Sequence, residues 1–242
     1  MKSIKTLVAT ITGLAIVAAT SHASLTTVND IWGANGAGGE WNLYNSGVGS
    51  SPGAGVMEYL YGNFTRVDDA SDIQWIGSPG GATFDAIYAG AGQALYTAAL
   101  AGTPISGQIL SASGNMGSTP PARSLTTVSY TPVSQPFLFL DQANGNNAYS
   151  DPTLSTGGVD RMVTFAVTGY LTSAGNINTW TAFSDGTTHY VIAFEDGTDF
   201  DFNDLVVEVS GVTPVPEVGT VVAGALLLLP LGASTLRILR RK

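Results

Sequence analysis

Cysteine is absent, histidine occurs twice, and six of the nine lysines and arginines stand at the two ends of the 242-residue chain. Without cysteine there is no disulfide, no lipid-modified cysteine, no thiolate nucleophile and no thiolate zinc centre. His22 lies near the amino terminus, which leaves His189 alone in the body. Between residues 24 and 213 the only basic residues are Arg66, Arg123 and Arg161, against seventeen acids, a net charge of −14. Nucleic acid and anionic lipid need clustered lysine or arginine, so such a body suits neither and attracts cations instead. No long stretch of the body keeps a 3.6-residue apolar period, which points away from helices and toward a mainly β fold.

The long apolar runs stand at the termini. Lys2 and Lys5 precede an uncharged stretch over residues 6–20, followed by the small residues Ser21, Ala23 and Ser24. That order is the grammar of a secretory signal peptide over residues 1–23, cut between Ala23 and Ser24. At the other end, residues 218–236 carry no charge, about the length a helix needs to cross ~30 Å of hydrocarbon. Arg237, Arg240, Arg241 and Lys242 follow. Positive flanks stay cytoplasmic, so the tail is expected inside and the body outside.

The expected organisation is a signal peptide (1–23), a Gly/Asn-rich segment (24–71), one antiparallel, jelly-roll-like β-sandwich (72–213) and a terminal membrane segment (214–242). Over residues 160–168, Val163, Phe165 and Val167 alternate with Thr164, Ala166 and Thr168, as in a strand with one buried face. Residues 137–140, 190–194 and 205–209 are short continuous apolar runs, expected as strands inside a sandwich, with 126–130 and 179–183 as partner strands. Phe84, Ala86 and Tyr88 alternate, which favours strand over an alanine-rich helix across residues 83–101. Residues 24–55, with isolated Trp32, Trp41 and Tyr44, read as loops on the domain edge, and Pro120 with Pro121 marks a connection.

The densest chemistry lies over residues 195–204, where Glu195, Asp196, Thr198, Asp199, Asp201, Asn203 and Asp204 crowd between two apolar runs. Oxygen ligands at this density suit Ca²⁺, with Glu195, Asp196, Asp199, Asp201, Asn203 and Asp204 as the candidate set. In an extended segment Asp199, Asp201 and Asn203 project to one side, and Phe200 and Phe202 to the other. The opening Asp-x-Asp-x-Asn matches an EF-hand, but Asp204 replaces the required glycine and Ser210 stands where a bidentate glutamate belongs. A solvated hairpin turn at Asp196-Gly197 is the competing reading.

Two resemblances follow from these residues. The tail Val215-Pro216-Glu217-Val218-Gly219-Thr220, its apolar span and the closing Arg240-Arg241-Lys242 resemble a PEP-CTERM sorting signal. The resemblance implies processing by an exosortase, a membrane-embedded cysteine transpeptidase of exopolysaccharide-producing bacteria, with Pro216 and Glu217 as recognition residues. Val218 stands where that signal has a second proline, so a permanently retained anchor is open beside processing. Residues 72–209 are similar to a domain of unknown function common in exported bacterial proteins. The likeness is carried by Phe194-Glu195-Asp196, by Asp199-Phe200-Asp201-Phe202-Asn203-Asp204, by Asp160-Arg161-Met162-Val163 and by Tyr88-Ala89-Gly90. It implies a compact β-sandwich with Ca²⁺ and names no substrate.

Catalytic signals are thin. No Gly-x-Ser-x-Gly elbow accompanies His189, which reads as a strand-edge residue. Glu195 could pair with Glu58 or Glu208 in a glycoside hydrolase, but so many acids make such pairs easy to draw. Trp32, Trp41, Trp75 and Trp180 could stack on sugar rings or fill a core. The expectation is a non-enzymatic cell-surface or extracellular-matrix protein, with an exopolysaccharide-binding module as the alternative and a hydrolase third.

Overall fold

The chain was analysed as a computed structural model, which describes residues 43, 56–105, 107–113, 123, 126–131, 135–143, 145–174, 177–197 and 202–215. The expected signal peptide and membrane span, Pro216, Glu217, Arg240, Arg241 and Lys242 lie outside them, as do Trp32, Trp41, Pro120 and Pro121. Among the described residues no helix is long and apolar enough to cross a membrane.

The described chain is mainly β. One short helix, α1 (Val56–Leu60), precedes fourteen strands: β1 (Thr65–Arg66), β2 (Gln74–Gly77), β3 (Ala82–Ala89), β4 (Gln93–Ala98), β5 (Leu110–Ala112), β6 (Thr126–Tyr130), β7 (Leu138–Ala143), β8 (Asn146–Tyr149), β9 (Met162–Val167), β10 (Gly169–Ala174), β11 (Ile177–Ala182), β12 (His189–Phe194), β13 (Leu205–Ser210) and β14 (Val212–Val215). A six-stranded sheet has the order β1-β9-β12-β13-β3-β6 and a four-stranded sheet the order β5-β4-β7-β8. β10 with β11 and β14 with β2 form two ribbons, and every pairing is antiparallel.

One core lies between the two main sheets, as a β-sandwich requires. Phe84, Ile192 and Phe194 from the six-stranded sheet meet Leu95 and Phe139 from the four-stranded one, and each such side chain removed from water contributes about 1.5–3 kcal/mol. Trp75 belongs to this core, with its indole N–H donated to the Asp72 carbonyl at 2.6 Å. A second cluster covers the opposite face of the six-stranded sheet, where Val56, Met57 and Leu60 of α1 pack on Val163, Phe165 and Val167. The alternation expected over residues 160–168 is therefore present in β9, but both faces are covered: Thr164 is as fully buried as Phe165.

Residues 83–101 form two strands in different sheets. β3 leaves the six-stranded sheet at Ala89, and after three residues β4 enters the four-stranded sheet. In β3, Val206 faces Tyr88 while Val207 faces Ala86, so Ile87 is an extra residue, a β-bulge. The bulge turns both Ile87 and Tyr88 to the outer cluster and returns Ala89 to the inner core. At the far end Gly211 breaks β13 from β14 with φ +71°, and a Cβ there would stand 2.1 Å from the Gly81 carbonyl oxygen, so only glycine fits.

Candidate cation site and the outer polar network

The acidic stretch leaves β12 at Phe194 and rejoins the sheet at Leu205. Its first residues are held through their backbone groups by side chains from elsewhere in the fold. Arg161, 8% exposed, donates from Nε to the Thr156 carbonyl at 2.9 Å and from Nη1 to the carbonyls of Glu195 and Gly197 at 3.2 and 2.8 Å. Asn146 donates to the Asp196 carbonyl at 2.8 Å. Asp204 Oδ2 accepts the amides of Asp196 and Gly197 at 2.6 and 3.2 Å, and its carbonyl accepts the amide of Gly90 at 2.9 Å. The backbone of Asp196 and Gly197 is thus fastened by Arg161, Asn146 and Asp204.

The four candidate ligands among the described residues do not share one place. Asp199 and Asp201 lie outside the described residues. Phe194 faces the inner core, and alternation sends Glu195 to the other face, where its Oε2 accepts the amide of Phe202 at 3.3 Å. Phe202 is buried in the outer cluster at φ 54°, a left-handed conformation rare for an aromatic residue, and Asn203 beside it is buried too. Asp196 and Asp204 do come together, since Asp204 Oδ2 binds the Asp196 amide and the two carboxyls feel each other's charge. Burial, and then the charge of Asp196, pushes the Asp204 carboxyl up to about 6.

Two residues absent from the sequence-derived set join them from the four-stranded sheet. Gln93, 1% exposed at the start of β4, donates Nε2 to Asp196 Oδ2 at 3.0 Å, and its Oε1 has no hydrogen-bond partner. Asp141 in β7 is 0% exposed, and its carboxylate oxygens have no side-chain partner and only weak contact with the amides of Ala94 and Gln142. Burial raises its pKa well above the usual carboxylate range. The charges of Asp196 and Asp204 add to this, and the neighbouring amides of Ala94 and Gln142 offset it only in part. Among the described residues none of Asp141, Asp196 and Asp204 forms an ion pair. Nor, among those residues, do three acidic or imidazole groups stand at ion-coordinating spacing. A signal for Asp141 does exist in the sequence: Phe137, Phe139 and Asp141 are two apart, so the acid inherits the inward face of two core phenylalanines.

The outer face carries a separate network. Glu208 in β13, 1% exposed, accepts from Tyr61 Oη at 2.6 Å, from Arg123 Nε and Nη2 at 3.1 and 2.8 Å, and pairs with His189 Nδ1 at 2.8 Å. His189 Nε2 lies 2.9 Å from Asp185, and the imidazole stacks on Phe183 with centroids 3.7 Å apart. The Arg123 guanidinium lies 3.9 Å from the Tyr170 ring centroid. Burial pulls the His189 pKa down, but its bonds to Glu208 and Asp185 outweigh that and the net shift is upward. Burial likewise raises Glu208, yet bonds from His189, Arg123 and Tyr61 bring it below the usual value. His189 is therefore no simple strand-edge residue: β12 is an interior strand and both ring nitrogens are engaged. Glu208 pairs with Val191, four positions from Glu195. That is roughly 13 Å along the strand, beyond the carboxylate spacing of ~5–9.5 Å that glycoside hydrolysis uses. Trp75 is core, and Trp180 on β11 is 41% exposed.

No protein-family model, curated protein or solved structure matches the chain.

Proposed function

We propose that this chain is an exported, non-enzymatic surface or extracellular-matrix protein whose jelly-roll-like β-sandwich is stabilised by Ca²⁺ at the acidic loop, delivered by its carboxy-terminal signal to an exosortase-type processing enzyme. The observation that carries the calcium reading is the pair Asp196 and Asp204. The Asp204 carboxylate is bonded to the amides of Asp196 and Gly197 and the Asp196 carboxylate to Gln93, both are at least half-buried, and among the described residues neither has an ion pair to balance it. Like charges so placed require either a shared proton or a cation. Hard oxygen donors in a body of net charge −14 favour Ca²⁺ for that place. Asp196 and Asp204 would hold it, and Asp199 and Asp201 are the further donors that the motif supplies. The ion's part is charge neutralisation and cross-linking of the loop.

The test is thermal melting of the chelator-stripped full chain with and without millimolar Ca²⁺. At hundredfold excess over Kd the gain is about 2.7 kcal/mol, or roughly 5–11 °C for a body of this size. An unchanged midpoint would overturn the calcium reading. A second reading, an exopolysaccharide-binding surface, is favoured by the exposed Trp180 on the β10–β11 ribbon.

A further inference from the structure

We infer that the cation bound by the acidic loop is also held from the opposite sheet, with Asp141 and Gln93 completing its coordination, so that the ion fastens the two main sheets together. This rests on the calcium reading above and adds residues which the acidic motif does not contain. Leu95 pairs directly with Asp141, which puts Gln93, Leu95 and Asp141 on one face of the four-stranded sheet. Leu95 belongs to the inter-sheet core, so that face is turned to the six-stranded sheet. Gln93 reaches across to Asp196 at 3.0 Å, which fixes the two sheets at contact distance at this point.

The orphaned oxygens are the independent sign of a ligand. A buried carboxyl met only weakly by two backbone amides costs several kcal/mol when charged, and native cores keep such groups only with a compensating role. Asp141 offers two such oxygens and Gln93 a third, Oε1, in the space that Asp196 and Asp204 border. A carboxylate, an amide oxygen and two further carboxylates are a donor set of the kind Ca²⁺ takes, and since these acids do not stand at coordinating spacing, binding has to draw these side chains together. An amide in place of Asp141 would remove charge repulsion in the metal-free protein and remove a ligand in the metal-bound one, so stability and affinity should move in opposite directions.

Calorimetric titration of Ca²⁺ into the chelator-stripped full chain tests this, using the wild type, Asp141→Asn, Asp196→Asn with Asp204→Asn, and the exposed Asp68→Asn as a charge control. The expected result is Kd weakened about tenfold or more by Asp141→Asn, unchanged by Asp68→Asn, and binding lost in the double variant. The melting point of Asp141→Asn in chelator should equal or exceed that of the wild type, which shows that the variant is folded. Wild-type affinity in Asp141→Asn, with loss in the double variant, overturns the bridging role and leaves the loop site standing. No binding by the wild type overturns both.

Discussion

Replacing Arg161 by methionine tests whether the acidic loop is held from its backbone. The guanidinium donates to three carbonyls, those of Thr156, Glu195 and Gly197, and is 8% exposed. Hydrogen bonds from a charged donor are worth about 1.5–3 kcal/mol each, but methionine also removes the desolvation cost of the buried charge. The net loss is about 3 kcal/mol, which lowers the melting point of a body of this size by roughly 6–12 °C. Arg161→Lys keeps the charge but cannot span three acceptors, so it should fall between the two. The assay is thermal unfolding of the full chain followed by circular dichroism, in chelator so that bound cations do not mask the loss. A shift below about 2 °C for Arg161→Met would refute the clamp and place the loop's stability elsewhere.

Two further predictions follow from the outer face. His189 has a raised pKa, so its contribution is complete below the unfolded value of 6.5 and is lost as pH rises through the folded value. Glu208 has a lowered one, so its contribution is complete above 4.5 and is lost as pH falls through its folded value. Melting points measured across pH should drop on both flanks, and His189→Gln should abolish the alkaline drop; parallel alkaline flanks in variant and wild type would contradict the assignment. For the polysaccharide reading, Trp180→Ala should abolish retention of the full chain on immobilised producer exopolysaccharide, and retention equal to the wild type would remove that ribbon as the binding surface.

Most strands were legible in the sequence because apolar runs such as 190–194 and 205–209 are too short and too continuous for amphipathic helices, and they stand as β12 and β13. Thr164 was misjudged because alternation reports which residues share a face, not how many faces are covered. The corner at residues 90–92 was invisible, since Phe84, Ala86 and Tyr88 set a period that an inserted Ile87 then shifts by one. Of the candidate site, the acidic loop was evident from local density. The approach of Asp141 and Gln93 was not, because it depends on two sheets meeting and no local pattern encodes that. The shared destiny assumed for Glu195 and Asp196 ignored the rule that consecutive strand residues point apart.

The position of β13 bears on how the protein is made. It lies between β12 and β3, so the partner of β3 is supplied by residues 205–210, more than a hundred positions later in the chain. A chain that emerges amino end first presents β3 with one edge bare until nearly the whole body is out. The six-stranded sheet therefore closes as a late, non-local event, and holding factors that keep β3 from pairing with other chains would determine the yield of native protein.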